Sequence, residues 1–276
     1  MSDATTYAVG GHREGFAATL REDNWWIGPV LTLVGLLAFV IYATWAAFAG
    51  NHYYTAPYLS PFYSPVVFTY TTAPGAAPLA HSWFGAWPAW WPAFLPASPA
   101  LFILPFPGVF RFTCYYYRKA YYRAFSGTPP ACAVGALPQK SYKGETAWMV
   151  FQNLHRYALY FALLFIAFLT YDAFISFFKD GKFGVGVGSI VLTLNVVFLT
   201  CFTCGCHAFR HLIGGKLDCF TCDAGSARRH GAWKRVSLLN ARHMVWAWVS
   251  LFWVGFSDLY VRLVSLGIIK DLNTWN

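Results

Sequence analysis

Seven cysteine and histidine side chains that could bind a metal are spread over separate segments of the chain. Thiolate sulfur and imidazole nitrogen are the ligands of zinc sites, haem iron and iron–sulfur clusters. Two of the histidines are four residues apart and would share one face of a helix. The seven residues are Cys114, Cys132, His155, Cys206, His207, His211 and His243. They predict a metal centre if the fold brings their segments to one level, although each residue taken singly could be a packed or interfacial side chain.

Two Cys-x-x-Cys pairs, Cys201–Cys204 and Cys219–Cys222, share the motif Cys-Phe-Thr-Cys. In a soluble chain this spacing indicates a zinc site. The first pair lies in an apolar run, where it could complete a zinc tetrahedron only by folding back onto a loop. The second pair could form a disulfide, but we expect thiols in a cytoplasmic loop to stay reduced.

The composition places these residues in a membrane protein. Of the 276 residues, 57% are hydrophobic and only 11% are charged, against about 25% charged in an ordinary soluble domain. Aromatic residues make up 20% of the chain. Disordered, collagenous and coiled-coil chains need other compositions, and we expect no cleavable signal peptide before Trp25. We therefore predict an all-α integral membrane protein.

Five stretches are long and apolar enough to span a bilayer, which takes about 20 residues because hydrocarbon cannot satisfy a bare backbone. The second stretch is the weakest, because Pro105 and Pro107 remove backbone donors and kink helices. We predict a five-helix transmembrane bundle. Its spans run approximately from Trp26 to Gly50, Ala97 to Tyr116, Met149 to Phe178, Val185 to Ala208 and Val236 to Ile269.

The sequence divides into three parts around this bundle. Residues 1–25 form a soluble N-terminal tail, residues 26–269 the transmembrane domain, and residues 270–276 a C-terminal tail. Within the domain, residues 51–96 are rich in Tyr, Trp and Pro. This composition predicts an interfacial cap that lies on the membrane surface between the first two spans.

Basic residues orient the bundle, because Lys and Arg in short loops collect on the cytoplasmic side. Seven lie between residues 111 and 156 and seven between residues 210 and 242, whereas residues 51–96 contain none. With five spans, the N-terminus is cytoplasmic, and the cap, the Lys179–Lys182 turn and the C-terminus lie outside. The basic runs are then juxtamembrane segments that face lipid rather than nucleic acid. All seven candidate ligands fall at the cytoplasmic end.

Two carboxylates, Asp172 and Asp258, lie within predicted spans and toward the outer face. Intramembrane ionisable groups are costly and usually functional. Either could handle protons or hydrogen-bond a quinone, or it could cap a tyrosine or a backbone group. The chain has no nucleotide-binding loop, nucleophile elbow or paired-carboxylate hydrolase motif. With these kinds of catalytic site excluded, we expect electron transfer through a bound metal centre.

Five short motifs resemble those of one family. Over about residues 26 to 265, the chain is similar to the cytochrome-b-like membrane-anchor subunit of bacterial succinate dehydrogenases and fumarate reductases. The motifs are Cys-Tyr-Tyr-Tyr-Arg-Lys-Ala-Tyr-Tyr-Arg from Cys114, Pro-Pro-Ala-Cys-Ala-Val from Pro129, Gln-Asn-Leu-His-Arg-Tyr from Gln152, Cys-His-Ala-Phe-Arg-His from Cys206 and Leu-Asn-Ala-Arg-His-Met from Leu239.

The resemblance implies partners and a redox centre. A flavoprotein subunit would oxidise succinate, an iron–sulfur subunit would carry the electrons, and this chain would anchor both and pass electrons to menaquinone or ubiquinone. Relatives hold haem b between histidines or, in the subgroup that this sequence resembles, a membrane-embedded Rieske-type [2Fe–2S] cluster with two cysteine and two histidine ligands. Haem would leave Cys114, Cys132 and Cys206 without a role, which favours the cluster over haem b. A transporter or structural membrane protein with a zinc clip is the alternative from a different class.

Quinone binding needs hydrogen-bond donors and aromatic walls in an apolar pocket near the redox centre. Arg118, Tyr122, Arg242 and Trp248 have suitable side chains at the expected depth. Both arginines could instead bind lipid phosphate.

The basic loops are expected to dock the iron–sulfur subunit. They run from Arg118 to Lys143 and from Lys216 to Lys234. We expect a multi-pass protein of the bacterial inner membrane, within a higher oligomer of the complex.

Overall fold

The computed structural model describes residues 15–137, 151–215 and 217–275. The chain divides into two compact units, the small unit of Met1–Ala38 with Phe112–Gln152 and the large unit of Phe39–Arg111 with Asn153–Asn276. Helices dominate both. In chain order, helices α1 to α9 are Ile27–Ala49, Ala100–Ile103, Pro105–Phe112, Tyr115–Ser126, His155–Ile175, Val187–Cys204, His207–Gly214, Ala224–Ala241 and His243–Ser265.

Four helices, α1, α5, α6 and α9, are long and apolar enough to cross a membrane among the residues that the structure describes. They contain 23, 21, 18 and 23 residues. At about 1.5 Å per residue they measure about 27 to 35 Å, which matches a hydrocarbon core of about 30 Å. The all-α membrane fold is confirmed, and these helices correspond to four of the five predicted spans.

The predicted span from Ala97 to Tyr116 is divided into short helices. Helices α2 and α3 together cover Ala100–Phe112, about 20 Å of helix at about 1.5 Å per residue, which is too short to cross alone. Pro105 stands at the start of α3, where a proline is tolerated because its missing N–H has no partner to lose. The chain is extended at Cys114, with φ −63° and ψ 130°, before α4 begins. Three short helices therefore replace the continuous span.

Other predicted spans are shorter in the structure than in the sequence. Helix α5 begins at His155, and Met149 lies outside the described residues. The predicted span Val236–Ile269 contains a break at Arg242, with φ −112° and ψ 22°, that separates α8 from α9. Helix α8 is rich in basic residues, so it is too polar for hydrocarbon and the chain bends where the apolar run starts.

Hydrogen bonds link the packed spanning helices of the large unit. Helix α6 packs against both α5 and α9. The Ser189 hydroxyl of α6 donates to the Ser176 carbonyl, just after α5, at 2.6 Å, and the Trp253 indole N–H of α9 donates to the Val191 carbonyl of α6 at 3.0 Å. Because lipid provides no hydrophobic drive between helices, such polar contacts and van der Waals packing stabilise a membrane bundle.

Residues 51–96 fold into a packed segment with little regular structure. Strands β1 (Tyr54–Thr55) and β2 (Tyr58–Leu59) form an antiparallel hairpin, and a single 3-10 turn covers Leu79–His81. The rings of Tyr53 and Tyr63 stack with centroids 4.2 Å apart and planes 5° from parallel, and both are buried in one core cluster. The location of this segment on the membrane surface stays a prediction.

In the small unit, the residues before α1 pair with the loop after α4. The Ala17 N–H donates to the Gly135 carbonyl at 3.0 Å, and the Gly135 N–H donates to the Ala18 carbonyl at 2.8 Å. Helix α4 ends at Gly127, whose φ of +54° favours glycine. The predicted N-terminal tail is therefore tied to the small unit through residues 17–18, while residues 1–14 lie outside the described part of the chain.

The predicted Lys179–Lys182 turn is a tight hairpin between α5 and α6. Strand β3 (Phe178–Lys179) pairs with β4 (Lys182–Phe183). The central residues Asp180 and Gly181 have φ of +50° and +75°. Positive φ at both positions fits a type I′ turn, which Asp-Gly favours.

Candidate metal centre

The structure brings His155 and Cys206 into contact in the large unit. His155 is the first residue of α5, and Cys206 lies between α6 and α7. The His155 Nε2 and Cys206 Sγ atoms are 2.9 Å apart, and the Cys206 residue is only 2% exposed. A buried thiol beside an imidazole nitrogen supplies the donor types that bind iron and zinc. The two residues are 51 positions apart in sequence, so only the folded chain reveals their contact.

Gly205 makes the turn that presents Cys206. A Cβ atom at this position would lie 2.7 Å from the Cys201 carbonyl oxygen and 3.2 Å from that of Leu239. The side-chain amide of Asn240, from α8, donates to the Gly205 carbonyl at 2.8 Å. The chain is then extended at Cys206, with φ −69° and ψ 145°, before α7 begins. The thiol is therefore positioned by packed helices rather than by a free loop.

Two phenylalanine rings cover the His155 and His243 imidazoles. The Phe110 ring stacks on His155 with centroids 4.6 Å apart. The Phe202 ring stacks on His243, the first residue of α9, at 5.0 Å. The two phenylalanine rings meet edge to face at 5.7 Å, and both are almost completely buried. A continuous row of rings therefore runs from His155 through Phe110 and Phe202 to His243.

Arg111 lies against the same row of rings. Its guanidinium carbon is 4.6 Å from the centre of the Phe202 ring. Charge counting along the sequence assigns Arg111 to the first basic loop, whereas the structure packs it against α6 and α9. Its position inside a predicted span is the signal that marks it, because a charged residue within an apolar segment is usually functional. Sequence reasoning missed Arg111, Phe110 and Phe202 as parts of the site.

Cys114, in the small unit, has the same local backbone as Cys206. Each cysteine is extended, stands immediately before a short polar helix and is 2% exposed. In each case the backbone N–H four residues later, that of Arg118 or Arg210, donates to the cysteine carbonyl. Two of the three predicted sulfur ligands are therefore buried at helix breaks.

The remaining predicted ligands have exposed side chains. Cys132 is exposed in the loop after α4, with its sulfur 3.9 Å from an Arg123 nitrogen. His207 and His211 are exposed on α7, with their ring centroids 5.5 Å apart, as their spacing predicts. In the described part of the chain, no three His, Cys, Asp or Glu side chains are grouped closely enough to hold a single metal ion.

The second Cys-x-x-Cys pair differs from expectation. Cys219 and Cys222 form a disulfide, although we expect reduced thiols on this loop. Their Cα atoms are 5.8 Å apart, within the range that a disulfide bridges. A bonded pair offers no thiolate to zinc. Cys201 and Cys204 lie in α6 and are partly exposed.

The four predicted quinone residues are divided between the two units. Arg118 and Tyr122 lie on α4, where the Arg118 guanidinium sits 4.8 Å above the Tyr115 ring. Arg242 is the exposed residue between α8 and α9, and Trp248 lies on α9. A common pocket for the four stays a prediction.

Comparison with known proteins identifies one family. A family model of the actinobacterial succinate dehydrogenase subunit SdhC matches residues 27–267. Among solved structures, a chain of the Mycobacterium smegmatis Sdh1 complex in the apo form is similar to this chain, with 44% sequence identity and a TM-score of 0.82. The similarity covers 94% of each chain. No curated protein matches the sequence.

Proposed function

The chain belongs to the family of actinobacterial succinate dehydrogenase membrane subunits, SdhC, and from this premise we propose that it passes electrons to quinone through a membrane-embedded [2Fe–2S] cluster. As a membrane subunit of a succinate dehydrogenase complex, it anchors that complex. The iron–sulfur subunit would deliver electrons that the flavoprotein subunit takes from succinate. The cluster would be of the Rieske type, with two cysteine and two histidine ligands.

The contact between His155 Nε2 and Cys206 Sγ, at 2.9 Å, carries this proposal. Haem b would use imidazole nitrogen alone and would leave a buried thiol beside its ligand without a role. A Rieske-type cluster uses both atom types. The donor chemistry of this pair therefore fits the cluster better than it fits haem.

Within the large unit, we assign Cys206, His155 and His243 as ligands. The second cysteine ligand stays the sequence prediction for Cys114, which has the same burial and backbone conformation as Cys206. Each histidine is the first residue of a spanning helix and lies under a phenylalanine ring. Cys132, His207 and His211 are left out because their exposed side chains lack this enclosure.

Each part of the large unit has a distinct task in this assignment. When bound, the cluster supplies one-electron transfer. Cys206 offers its sulfur as a thiolate, and His155 and His243 offer ring nitrogens. Phe110 and Phe202 exclude water from the imidazole faces, and the packing around Gly205 fixes the thiol before metal binding.

Spectra of the purified complex test the proposal. After reduction, we expect the rhombic EPR signal of a Rieske-type centre with weak visible absorption. A sharp haem b absorption band without the rhombic signal would overturn the cluster in favour of the haem alternative. Neither signal, together with one zinc per chain, would favour a zinc-stabilised structural protein.

Quinone reduction is assigned to Arg118, Tyr122, Arg242 and Trp248. Arginine provides a permanent donor to a quinone oxygen, and tyrosine and tryptophan provide ring walls with a polar tip. The Arg242→Leu variant is expected to lower reduction of menaquinone or ubiquinone while leaving electron transfer from succinate to a soluble artificial acceptor unchanged. Unchanged quinone reduction would remove Arg242 from the site.

Docking of the iron–sulfur subunit is assigned to the basic loops. In the second loop, Arg228 and Lys234 are exposed on α8, and Lys143 and Lys216 lie outside the described residues. Positive charge in these loops would make this the cytoplasmic face of a bacterial inner-membrane protein, with a cytoplasmic N-terminus.

Charge reversal tests the docking face. The double variant Arg228→Glu with Lys234→Glu should release succinate-oxidising activity from membranes, because repulsion at an interface costs affinity. The control is Lys270→Glu, an exposed lysine beyond the C-terminal end of α9, which should retain it. Full retention by the double variant would refute the docking assignment.

A further inference from the structure

Arg111 is a charged side chain whose place in the fold is explained neither by ligation nor by membrane topology. It follows directly after Phe110, whose ring stacks on His155 at 4.6 Å. Its guanidinium carbon lies 4.6 Å from the centre of the Phe202 ring, and that ring stacks on His243 at 5.0 Å. The cation is therefore one phenylalanine ring from the His243 imidazole, and the Phe110 ring, which meets Phe202 edge to face, continues the row to His155.

Hydrogen bonds hold the guanidinium in this place. Nη2 donates to the Ser250 hydroxyl at 2.9 Å, and Nη1 donates to the Ala247 carbonyl at 3.3 Å. Both acceptors are neutral and belong to completely buried residues of α9. Ala247 is one helical turn from His243, so the cation is fixed relative to that imidazole. Arginine stays protonated in proteins, which makes this a permanent positive charge.

The surroundings make that charge effective over a distance. Arg111 lines a cavity of about 190 Å³ whose other walls include Phe110, Leu199, Phe202 and Val254. Charges interact much more strongly among such apolar groups than in water, because the local dielectric constant is low.

We propose that the positive charge of Arg111 raises the reduction potential of the cluster held beside it. The inference rests on the proposed function. Reduction adds one negative charge to the centre, and a fixed cation nearby stabilises the reduced form relative to the oxidised form. Charges around an iron–sulfur centre are one of the means by which a protein sets its potential.

A potentiometric EPR titration of the intact complex tests this inference with four variants. Arg111→Met removes the charge and the donors, Arg111→Gln removes the charge but keeps an amide donor, and Arg111→Lys keeps the charge. The matched control is Arg156→Met, because Arg156 follows His155 directly but is exposed, so that water screens its charge.

We expect the Met and Gln variants to bind the cluster in full and to be about tenfold harder to reduce, a fall in midpoint potential of about 59 mV for one electron. The Lys variant should retain most of the wild-type potential, and the Arg156→Met variant should not shift. If Arg111→Met fails to assemble, Arg111→Gln provides the same measurement.

Two results would overturn the inference. One is an unchanged potential in a neutral variant that keeps its signal. The other is a potential in Arg111→Lys as low as that in Arg111→Gln, which would mean that guanidinium geometry and not charge matters. If the wild-type complex shows no Rieske-type signal at all, the proposed function itself fails, and that outcome is distinct from both.

Discussion

The large unit has buried and half-buried polar groups at both ends of its spanning helices, but their neighbours differ in kind. We call the end with the proposed ligands His155, Cys206 and His243 the ligand end, and the end with Asp172, Asp258 and Asp271 the carboxylate end. Helix α9 begins at His243 and reaches Asp258 fifteen residues later, about 22 Å along the axis at about 1.5 Å per residue.

At the carboxylate end, each charge accepts hydrogen bonds from the protein itself. Asp258 accepts from the Tyr42 hydroxyl at 2.6 Å and from Ser60, and lies 3.5 Å from the Arg262 Nε atom. Asp172 accepts from Ser64. Because Ser60 and Ser64 both belong to residues 51–96, these bonds tie that segment to α9 and α5.

Asp271 follows the same principle beyond the end of α9. It accepts from the Tyr58 hydroxyl at 2.7 Å, the Tyr260 hydroxyl at 2.6 Å and the Gly188 N–H at 3.0 Å. The comparison shows that the type of a polar side chain in a membrane protein does not by itself make it structural or functional. The carboxylates accept hydrogen bonds from the protein itself, and these bonds hold helices together. The ligand end instead brings a thiol to an imidazole beside aromatic rings, and from this arrangement we propose metal binding.

The largest expected effect is at the ligand end. Cys206→Ser should abolish the Rieske-type EPR signal while the complex still assembles, because serine oxygen replaces the sulfur that iron requires. Cys201→Ser is the matched control, since Cys201 lies on the preceding helix α6 and is partly exposed. It should keep the full signal. A full signal in Cys206→Ser would remove this residue from the ligand set.

The second expected effect is at the carboxylate end and concerns stability alone. Asp258→Leu leaves the buried Arg262 without its carboxylate, which typically costs about 3 to 5 kcal/mol. Asp258→Asn keeps polar atoms for Tyr42 and Ser60 and should cost less. Thermal unfolding of the complex in detergent measures both. If Asp258→Leu instead lost the EPR signal without a change in unfolding, the carboxylate end would have a redox role.

The smallest effect is expected for Tyr58→Phe. The Tyr58 hydroxyl donates to Asp271, and burial, with the nearby carboxylate, raises the pKa of Tyr58, which keeps the phenol protonated as a donor. Loss of a hydrogen bond to a charged group costs about 1.5 to 3 kcal/mol. Tyr70→Phe, at a half-exposed tyrosine, should leave the unfolding midpoint unchanged. Equal effects in the two variants would show that the Asp271 bond does not stabilise the C-terminal segment.

Much of the fold could be predicted from the sequence because its signals are local. Apolar runs mark α1, α5, α6 and α9, and the Asp180-Gly181 pair marks the hairpin between α5 and α6. Proline marks the weakness of the second span at Pro105. The division of that span into three helices depends on packing, and hydropathy does not contain that information. The bend at Arg242 falls where the basic helix α8 meets the apolar helix α9, so charge and hydropathy together could have located it.

The candidate site could be predicted only as a set of side chains. Residue type and predicted depth made Cys206 and His207, which are adjacent in sequence, equally good candidates for metal ligands. In the structure, the extended backbone at Cys206 and the glycine before it bury the Cys206 thiol and leave His207 exposed. Arg111 was counted as topological charge, because a sequence does not show that a guanidinium will fold back onto a ring.

Pulsed EPR of the reduced complex tests the central claim most directly, since it detects nitrogen nuclei bound to the paramagnetic centre. Clusters held by cysteine alone give no strong coupling to imidazole nitrogen. The assignment of His155 and His243 as ligands predicts coupling to two histidine nitrogens in one [2Fe–2S] signal. A complex whose iron–sulfur signals all lack imidazole coupling would contradict the claim that this chain holds a Rieske-type centre.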